Sequence, residues 1–325
     1  MEKPIELVYM EILNERCVLV GSDKWVLVNG RNGYIGEVQL EKIALEVLPN
    51  GVILMMDLNF EKKYGDTQID AVIVSKTGIH MFEVKNLSGQ YEYRDGVWRN
   101  KGWKLKRDFF TQMKRAGEIF EGVLSEINIR AEIEPKLVLI NEEDTVAIFD
   151  ERVEGQYLKR WQVKEYIRQL DQDASWGTSW VPEEVVKRLK EQTTDRVVPK
   201  KRPVEVDVKG VYRGIVCCGC GGYEIDVESK RYHVSCRTCG YQESKEKAVL
   251  RTICDLAILD YDEPLRKTIL DYYKNNQEIQ NTIKLVFKKH FKLIKVGRSA
   301  NYINPMKRME DAFKGVKFKY RDYSD

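Results

Sequence analysis

The chain has 325 residues, with 54 Lys or Arg against 51 Asp or Glu and a formal net charge of only +3. A hydrophobic fraction of 43% can build two or three cores, whereas 32% charged residues and the lack of any run near ~18 apolar residues exclude a membrane-spanning helix. Met1 to Glu6 lacks the basic-then-apolar order of a secretion signal, so a cytoplasmic protein is expected, and affinity for a polyanion must come from local patches.

The first element follows Gly33, where Val38, Leu40, Ile43, Ala44, Val47 and Leu48 recur at helical intervals behind Glu37. Such a helix either carries Glu37 to a site on a sheet or uses it to complement the positive end of its own dipole. Two apolar strands come next, Thr67 to Ser75 and Ile79 to Lys85, joined by the turn at Lys76 to Gly78. Ile69, Ala71 and Ile73 make the first strand apolar enough to be internal, and Phe82 and Val84 give the second its buried face. Side chains alternate along a strand, so Glu83 and Lys85 share the opposite face, while Asp70 sits on the neighbouring strand with twelve residues between it and Glu83. Charges on internal strands are costly unless paired or bound to metal. Two converging carboxylates can hold Mg²⁺ or Mn²⁺ through oxygen, and a lysine beside them can steady developing phosphorane charge.

A basic and aromatic stretch follows, from Trp98 to Arg107, read either as a grip on a phosphodiester backbone or as a loop whose tryptophans cap the core. Beyond it Met113, Ala116, Ile119, Phe120, Val123 and Leu124 mark a helix with Gln112 in its first turn. Lys136 to Ile140 reads as another strand, and Trp161 to Leu189 as short helices with Pro182 in a first turn. Two prolines flanking three basic residues, between Val198 and Pro203, mark an extended linker.

Five of the seven cysteines then fall between positions 217 and 239. Cys217 with Cys220 and Cys236 with Cys239 form two C-x2-C knuckles fifteen residues apart, the spacing of a zinc ribbon with a β-hairpin between. Four thiolates complete a tetrahedral site, so this Zn²⁺ is expected to be structural. Cys218 and His233 are spare candidates, and Cys17 and Cys254 read as small core residues. Residues 243 to 293 carry three helical patterns, the last two centred on Leu265 to Tyr273 and Ile279 to Phe291. Twelve Lys and Arg lie between Lys284 and Arg321, interleaved with Phe287, Phe291, Tyr302, Phe313, Phe318 and Tyr320. That mixture suits phosphate contacts with base stacking, or else a solvated basic face over a core stripe.

Gly36 with Glu37, Gln68 to Asp70, Thr77 to Ile79, Phe82 to Asn86 with Ser88 and Gly89, and the helical Gln112 together resemble the nuclease-related domain (NERD), a branch of the PD-(D/E)XK nuclease superfamily, over residues about 30 to 150. The resemblance implies an α/β fold with an αβββαβ core, closed by the strand at Lys136 to Ile140. It implies Asp70, Glu83 and Lys85 in the catalytic positions, with Glu37 and Gln112 assisting. Many relatives carry Asn-Pro shortly before the helical glutamine, where this chain has Arg107 to Phe110. The expected organisation is a nuclease domain over 1–192, a linker over 193–213, a zinc ribbon over 214–242 and a helical, basic region over 243–325. The expected activity is a Mg²⁺-dependent DNA endonuclease or nickase. A catalytically silent fold that binds nucleic acid or a protein partner is the alternative.

Overall fold

The computed structural model describes residues 1–62, 65–76, 78–131, 133–143, 145–170, 181–194, 198–199, 203, 205–295 and 300–318. The chain folds as two compact units, one of residues 1–2 and 29–196 and the other of residues 3–28 and 197–325. Helices α1 (Ile5–Arg16) and α2 (Gly21–Val47) open the chain, and the boundary between units falls inside α2. The N-terminal unit continues with β1 (Ile53–Lys62), β2 (Gly65–Val74), β3 (Ile79–Lys85), β4 (Tyr91–Arg94), β5 (Val97–Asn100), β6 (Trp103–Lys104) and α3 (Phe109–Glu126). It ends with β7 (Ile133–Leu139), β8 (Val146–Ile148), β9 (Tyr157–Lys159), α4 (Arg160–Gln169) and α5 (Pro182–Lys190).

The main sheet has the order β1-β2-β3-β7-β9, antiparallel from β1 to β3 and parallel beyond. Parallel neighbours need a crossover, and α3 supplies it between β3 and β7, so the expected αβββαβ core is α2, β1, β2, β3, α3 and β7. Asp108 caps α3 by accepting the N–H groups of Phe110 and Thr111, which is the local job of the stretch from Arg107 to Phe110. One sheet face buries Val72, Val74, Ile79 and Met81 against Phe120 and Leu124 of α3 and Leu189 of α5. The other buries Ala71, Ile73, Phe82 and Val138 against Leu40 and Ala44 of α2 and Ile167 of α4. A smaller sheet, β6-β5-β4-β8, packs Tyr93 and Trp98 on Phe109, Phe110 and Met113 at the start of α3.

Strict period two would place Ile69 with Ala71 and Ile73, but Ile69 packs on the α3 face with Val72 and Val74. The phase slips at Asp70. It slips at the same level on β1, where Met55 shares the α3 face with Leu58 and Phe60. The ladder pairs Met56 with Ala71 and Leu58 with Ile69, leaving Asp57 and Asp70 opposite each other and out of the pairing. Asp57 has φ +51, a left-handed conformation that short polar residues tolerate better than others. Distortions of this kind re-aim side chains beside active sites.

Two helical expectations need correction. The helix carrying Glu37 begins at Gly21, so Glu37 lies in its interior and cannot serve its N-terminal dipole. The segment Lys267–Tyr273 is a 3₁₀ stretch, not an α-helix: it has no side-chain cap at Arg266 and leaves helical φ/ψ at Leu270, and so short a run makes few backbone bonds to offset the cost of ordering it.

The C-terminal unit holds α1 together with β10 (Ile225–Asp226), β11 (His233–Cys236), β12 (Gln242–Ser244), α6 (Lys245–Leu259), α7 (Gln277–His290), β13 (Leu293–Lys295), β14 (Asn301–Tyr302) and α8 (Met309–Ala312). Helix α6 is buried along nearly its whole length, including Arg251 and Asp255. Its charges are matched within the unit: Arg16 of α1 reaches Asp255 at 3.2 Å, and Arg251 pairs with Glu243. Removing one partner of such a buried pair typically costs about 3–5 kcal/mol. Among the described residues no helix is long and apolar enough to cross a membrane.

Candidate active site and metal centre

The carboxylate cleft arises where two strands part. The β2–β3 ladder ends at the pair Ala71 and Phe82, while β3 stays paired with β7 as far as Lys85. With no backbone partner left on β2, the N–H of Val84 donates to the Asp70 carboxylate at 2.7 Å. Glu83 and Lys85 point to the α3 face, as period two requires, and Lys85 Nζ donates to Glu83 Oε1 at 2.6 Å. Gln112, four residues into α3, donates its amide to the same oxygen at 2.7 Å. The Phe109 ring lies under Lys85, its centroid 5.4 Å from Nζ. Glu83 is almost fully buried and Gln112 is exposed, so one side of the cleft is open to solvent.

Glu37 approaches from α2, and Gly36 is what permits it. A Cβ on Gly36 would lie 2.8 Å from Asn86 Cβ and 3.1 Å from Ile140 Cγ2, so the helix comes this close to the end of β3 only with glycine there. Asn86 fastens the contact by donating to the Asn32 carbonyl at 3.1 Å and accepting from Asn141 at 2.8 Å. Glu37 is only 9% exposed, and its Oε2 has no hydrogen-bond partner among the described residues. Burial, then the nearby Asp70 and Asp57, push its carboxyl up to about 8. Asp70 is pushed up to about 7 by burial and by Glu83, against the pull of Lys85 and the Val84 N–H. Asp57, which strand periodicity did not single out, is held by Gln68 at 2.9 Å and Asn59 at 3.1 Å and adds negative potential to both. Its one visible trace in the sequence is an acid between the apolar run Ile53 to Met56 and Leu58.

The structure thus brings Asp70, Glu83, Lys85, Glu37 and Gln112 into one neighbourhood. An orphaned, buried Glu37 oxygen and two carboxyls raised by burial and mutual repulsion fit a site made to take a cation. The carboxylates are not as tightly gathered as the cysteines: among the described residues, the one group of three or more ligating side chains within 4.8 Å of one another is Cys217, Cys220, Cys236 and Cys239.

These four thiols converge for local reasons. Gly221 at φ +71 and Gly240 at φ +76 turn each knuckle, closed by Gly221 N–H to the Cys217 carbonyl at 2.9 Å and Gly240 N–H to the Cys236 carbonyl at 3.0 Å. Strands β10 and β11 place Ile225 opposite Cys236, making the hairpin that joins the knuckles. Cys217 and Cys239 sulfurs lie 3.6 Å apart, as do those of Cys220 and Cys236, with no disulfide among them. The donor set matches a tetrahedral zinc ribbon. Cys218 and His233 stand outside it, Cys218 facing Glu243 at 3.9 Å.

The two basic and aromatic stretches separate in the structure. In the C-terminal unit Phe287, Phe291 and Tyr302 are buried, with the Phe287 ring 5.0 Å from Phe291 and 4.6 Å from Tyr302, which removes them as stacking platforms. Phe313 packs on Phe291, and Lys289 pairs with Glu246, while Arg298, Lys319, Tyr320 and Arg321 lie outside the described residues. In the 98–107 stretch, Trp98 is a core residue at 1% exposure but Trp103 is 81% exposed.

In comparison with known proteins, residues 32–140 fit the model of the nuclease-related domain. The chain therefore carries this domain, with its PD-(D/E)XK-like fold, followed by a four-cysteine module compatible with a zinc ribbon. No curated protein and no solved structure matches it.

Proposed function

We propose that the protein is a cytoplasmic, metal-dependent nuclease that cleaves phosphodiester bonds in DNA as an endonuclease or nickase. The observation carrying this reading is the meeting of Asp70, Glu83, Lys85 and Gln112 at the point where β2 and β3 separate. Asp70 and Glu83 would hold a Mg²⁺ or Mn²⁺ ion, which when bound supplies Lewis acidity and an activated water. Lys85 sets a positive charge beside the scissile phosphate and stabilises the negative charge that grows in the transition state. Gln112 fixes the carboxylate of Glu83, and Phe109 keeps the lysine over the cleft. Glu37, buried and raised toward neutrality, would hold a proton within the metal-free cleft or release it to share the cation. Zn²⁺ at Cys217, Cys220, Cys236 and Cys239 has a structural role, and the exposed lysines of α7 add affinity for nucleic acid without sequence preference.

The test is cleavage of supercoiled, linear and single-stranded substrates by purified protein with Mg²⁺ or Mn²⁺. Cutting that disappears in Lys85→Ala while binding survives supports the reading, and no cutting with any divalent metal defeats it. One observation favours a second reading, a silent fold that only binds: Glu83 Oε1 is already engaged by both Lys85 and Gln112.

A further inference from the structure

We infer that Trp103, at the tip of the β5–β6 hairpin, is a stacking platform for an unpaired base, and that the substrate carries single-stranded nucleic acid next to the cleaved bond. The inference rests on the nucleic-acid reading above. It adds which substrates the cleft receives and which residue selects them.

Two tight turns and a core anchor set where the hairpin's tip lies. Asp95 at φ +52 with Gly96 at φ +76 turns β4 into β5, and Lys101 at φ +48 with Gly102 at φ +82 turns β5 into β6. Both are two-residue connections whose paired positive φ values suit the twist of adjoining strands. Trp98 anchors the meander from below, with its ring 4.9 Å from Phe109 and 5.7 Å from Phe110. Phe109 in turn lies beneath Lys85. The tip therefore belongs to a small sheet seated on the same turn of α3 that supports the catalytic lysine.

At that tip Trp103 is 81% exposed, directly opposite Asn100 in the ladder. Lys101, Lys104, Lys106 and Arg107 surround it in sequence, all exposed and, among the described residues, none in an ion pair. From Tyr91 to Arg107 there are six Lys or Arg against two acids. A single exposed tryptophan is unremarkable on a protein surface. An indole held on a two-residue turn among such cations is a different object, because those charges complement a polyanion. Aromatic faces stack on bases of any sequence while lysines meet the phosphates, and a base can reach the ring only if it is not already stacked in a duplex. Trp161 supplies the contrast. It is 71% exposed on α4, but its basic neighbours are spent: Arg160 pairs with Glu142 at 3.1 Å and Lys164 with Glu46 at 2.7 Å.

The experiment measures binding of full-length protein to a labelled oligothymidine and to a duplex of equal length by fluorescence anisotropy, in EDTA so that no cleavage intervenes. Trp103→Ala is expected to weaken oligothymidine binding about tenfold or more while duplex affinity stays within about twofold. Trp103→Phe should recover most of the loss, and Trp161→Ala should change neither ligand. Lys101→Glu with Lys104→Glu should weaken both ligands and flatten the salt dependence. Equal losses on both ligands, no loss on oligothymidine, or wild-type protein that binds neither would overturn the inference. Because the readout is binding without metal, a silent active site defeats the nuclease reading and leaves this result standing. Cleavage with no dependence on Trp103 for single strands defeats the stacking inference alone.

Discussion

The molecule gathers its two candidate sites, the four cysteines and the carboxylate cleft, by opposite routes. The four cysteines come together within 23 residues of chain through two glycine-closed knuckles and one hairpin. The carboxylate cleft draws Glu37, Asp57, Asp70, Glu83 and Gln112 from a helix, three strands and a second helix. The first is convergent at short range, and a Zn²⁺ ion held by its four thiolates would contribute folding free energy locally. The second is assembled by a sheet and two helices that are stable for their own reasons, so its side chains stay in place at a cost in mutual repulsion. One centre should therefore fail by unfolding and the other by losing chemistry.

The sharpest break in that contrast is Cys236→Ser. Structural zinc supplies about 10–16 kcal/mol to small metal domains, more than most domains have to spare. Wild-type protein should hold one zinc per chain by elemental analysis. The variant should hold none and expose residues 214–242 to protease, whereas residues 29–170 stay resistant. Retained metal and unchanged protease resistance would erase the difference between the two centres.

Next in size is the loss of chemistry without loss of structure. Lys85→Ala should lower the metal-supported cleavage rate by about a hundred- to a thousandfold, corresponding to ~3–4 kcal/mol of transition-state stabilisation. Its melting temperature should stay close to wild type, because Lys85 serves the cleft more than the core. Asp70→Ala and Glu83→Ala should abolish cleavage and weaken metal binding measured by calorimetry. Gln112→Ala should fall short of either. If Lys85→Ala melts far below wild type, the cleft is a folding element and the contrast collapses.

A subtler effect separates position from chemistry. Gly36→Ala forces a methyl to within 2.8 Å of Asn86 Cβ. Overpacking of this kind costs about 1–3 kcal/mol and should also shift Glu37 enough to slow cleavage roughly tenfold. Gly33, on the same helix, has nothing within 4 Å of an added Cβ. Gly33→Ala should instead stabilise α2 by about 0.5–1 kcal/mol and leave cleavage unchanged. Paired melting and rate measurements on the two variants decide whether the approach of α2 matters to the site.

The smallest expected effect is a pH dependence in EDTA. Glu37 and Asp70 titrate at about 8 and about 7 when folded, well above their unfolded values, because burial and neighbouring acids disfavour their charged forms. Their contribution to stability is complete below the unfolded carboxyl range and is lost as pH rises through 7 to 8. His80, held near 4 by burial, acts on the acid side, so the interval from about pH 6.5 upward isolates the carboxyls. Metal-free protein should melt at progressively lower temperature across it. Mg²⁺ should restore the loss, and Asp57→Asn should reduce it by removing one repulsive charge. A flat melting temperature in EDTA would mean that the acids do not repel one another as their burial requires.

The cysteine centre could be read from the chain because its geometry is local: C-x2-C spacing and the glycines behind it leave little for the rest of the fold to decide. Glu83 and Lys85 were legible for a similar reason, since alternation along one strand fixes which side chains share a face. Spacing showed Gln112 only as a polar residue in a first turn, with the family resemblance giving it an assisting role, and its hydrogen bond to Glu83 depends on where α3 lands on the sheet. The start of α2, the phase slip at Asp57 and Asp70, and the parting of β2 from β3 had no periodic signal to announce them. Nor could composition tell Trp98 from Trp103, or the buried aromatics of the C-terminal unit from the exposed one of the hairpin. Sequence determined what short-range spacing and strand period control. Tertiary structure decided which charged and aromatic groups face one another, because that depends on packing between elements far apart in the chain.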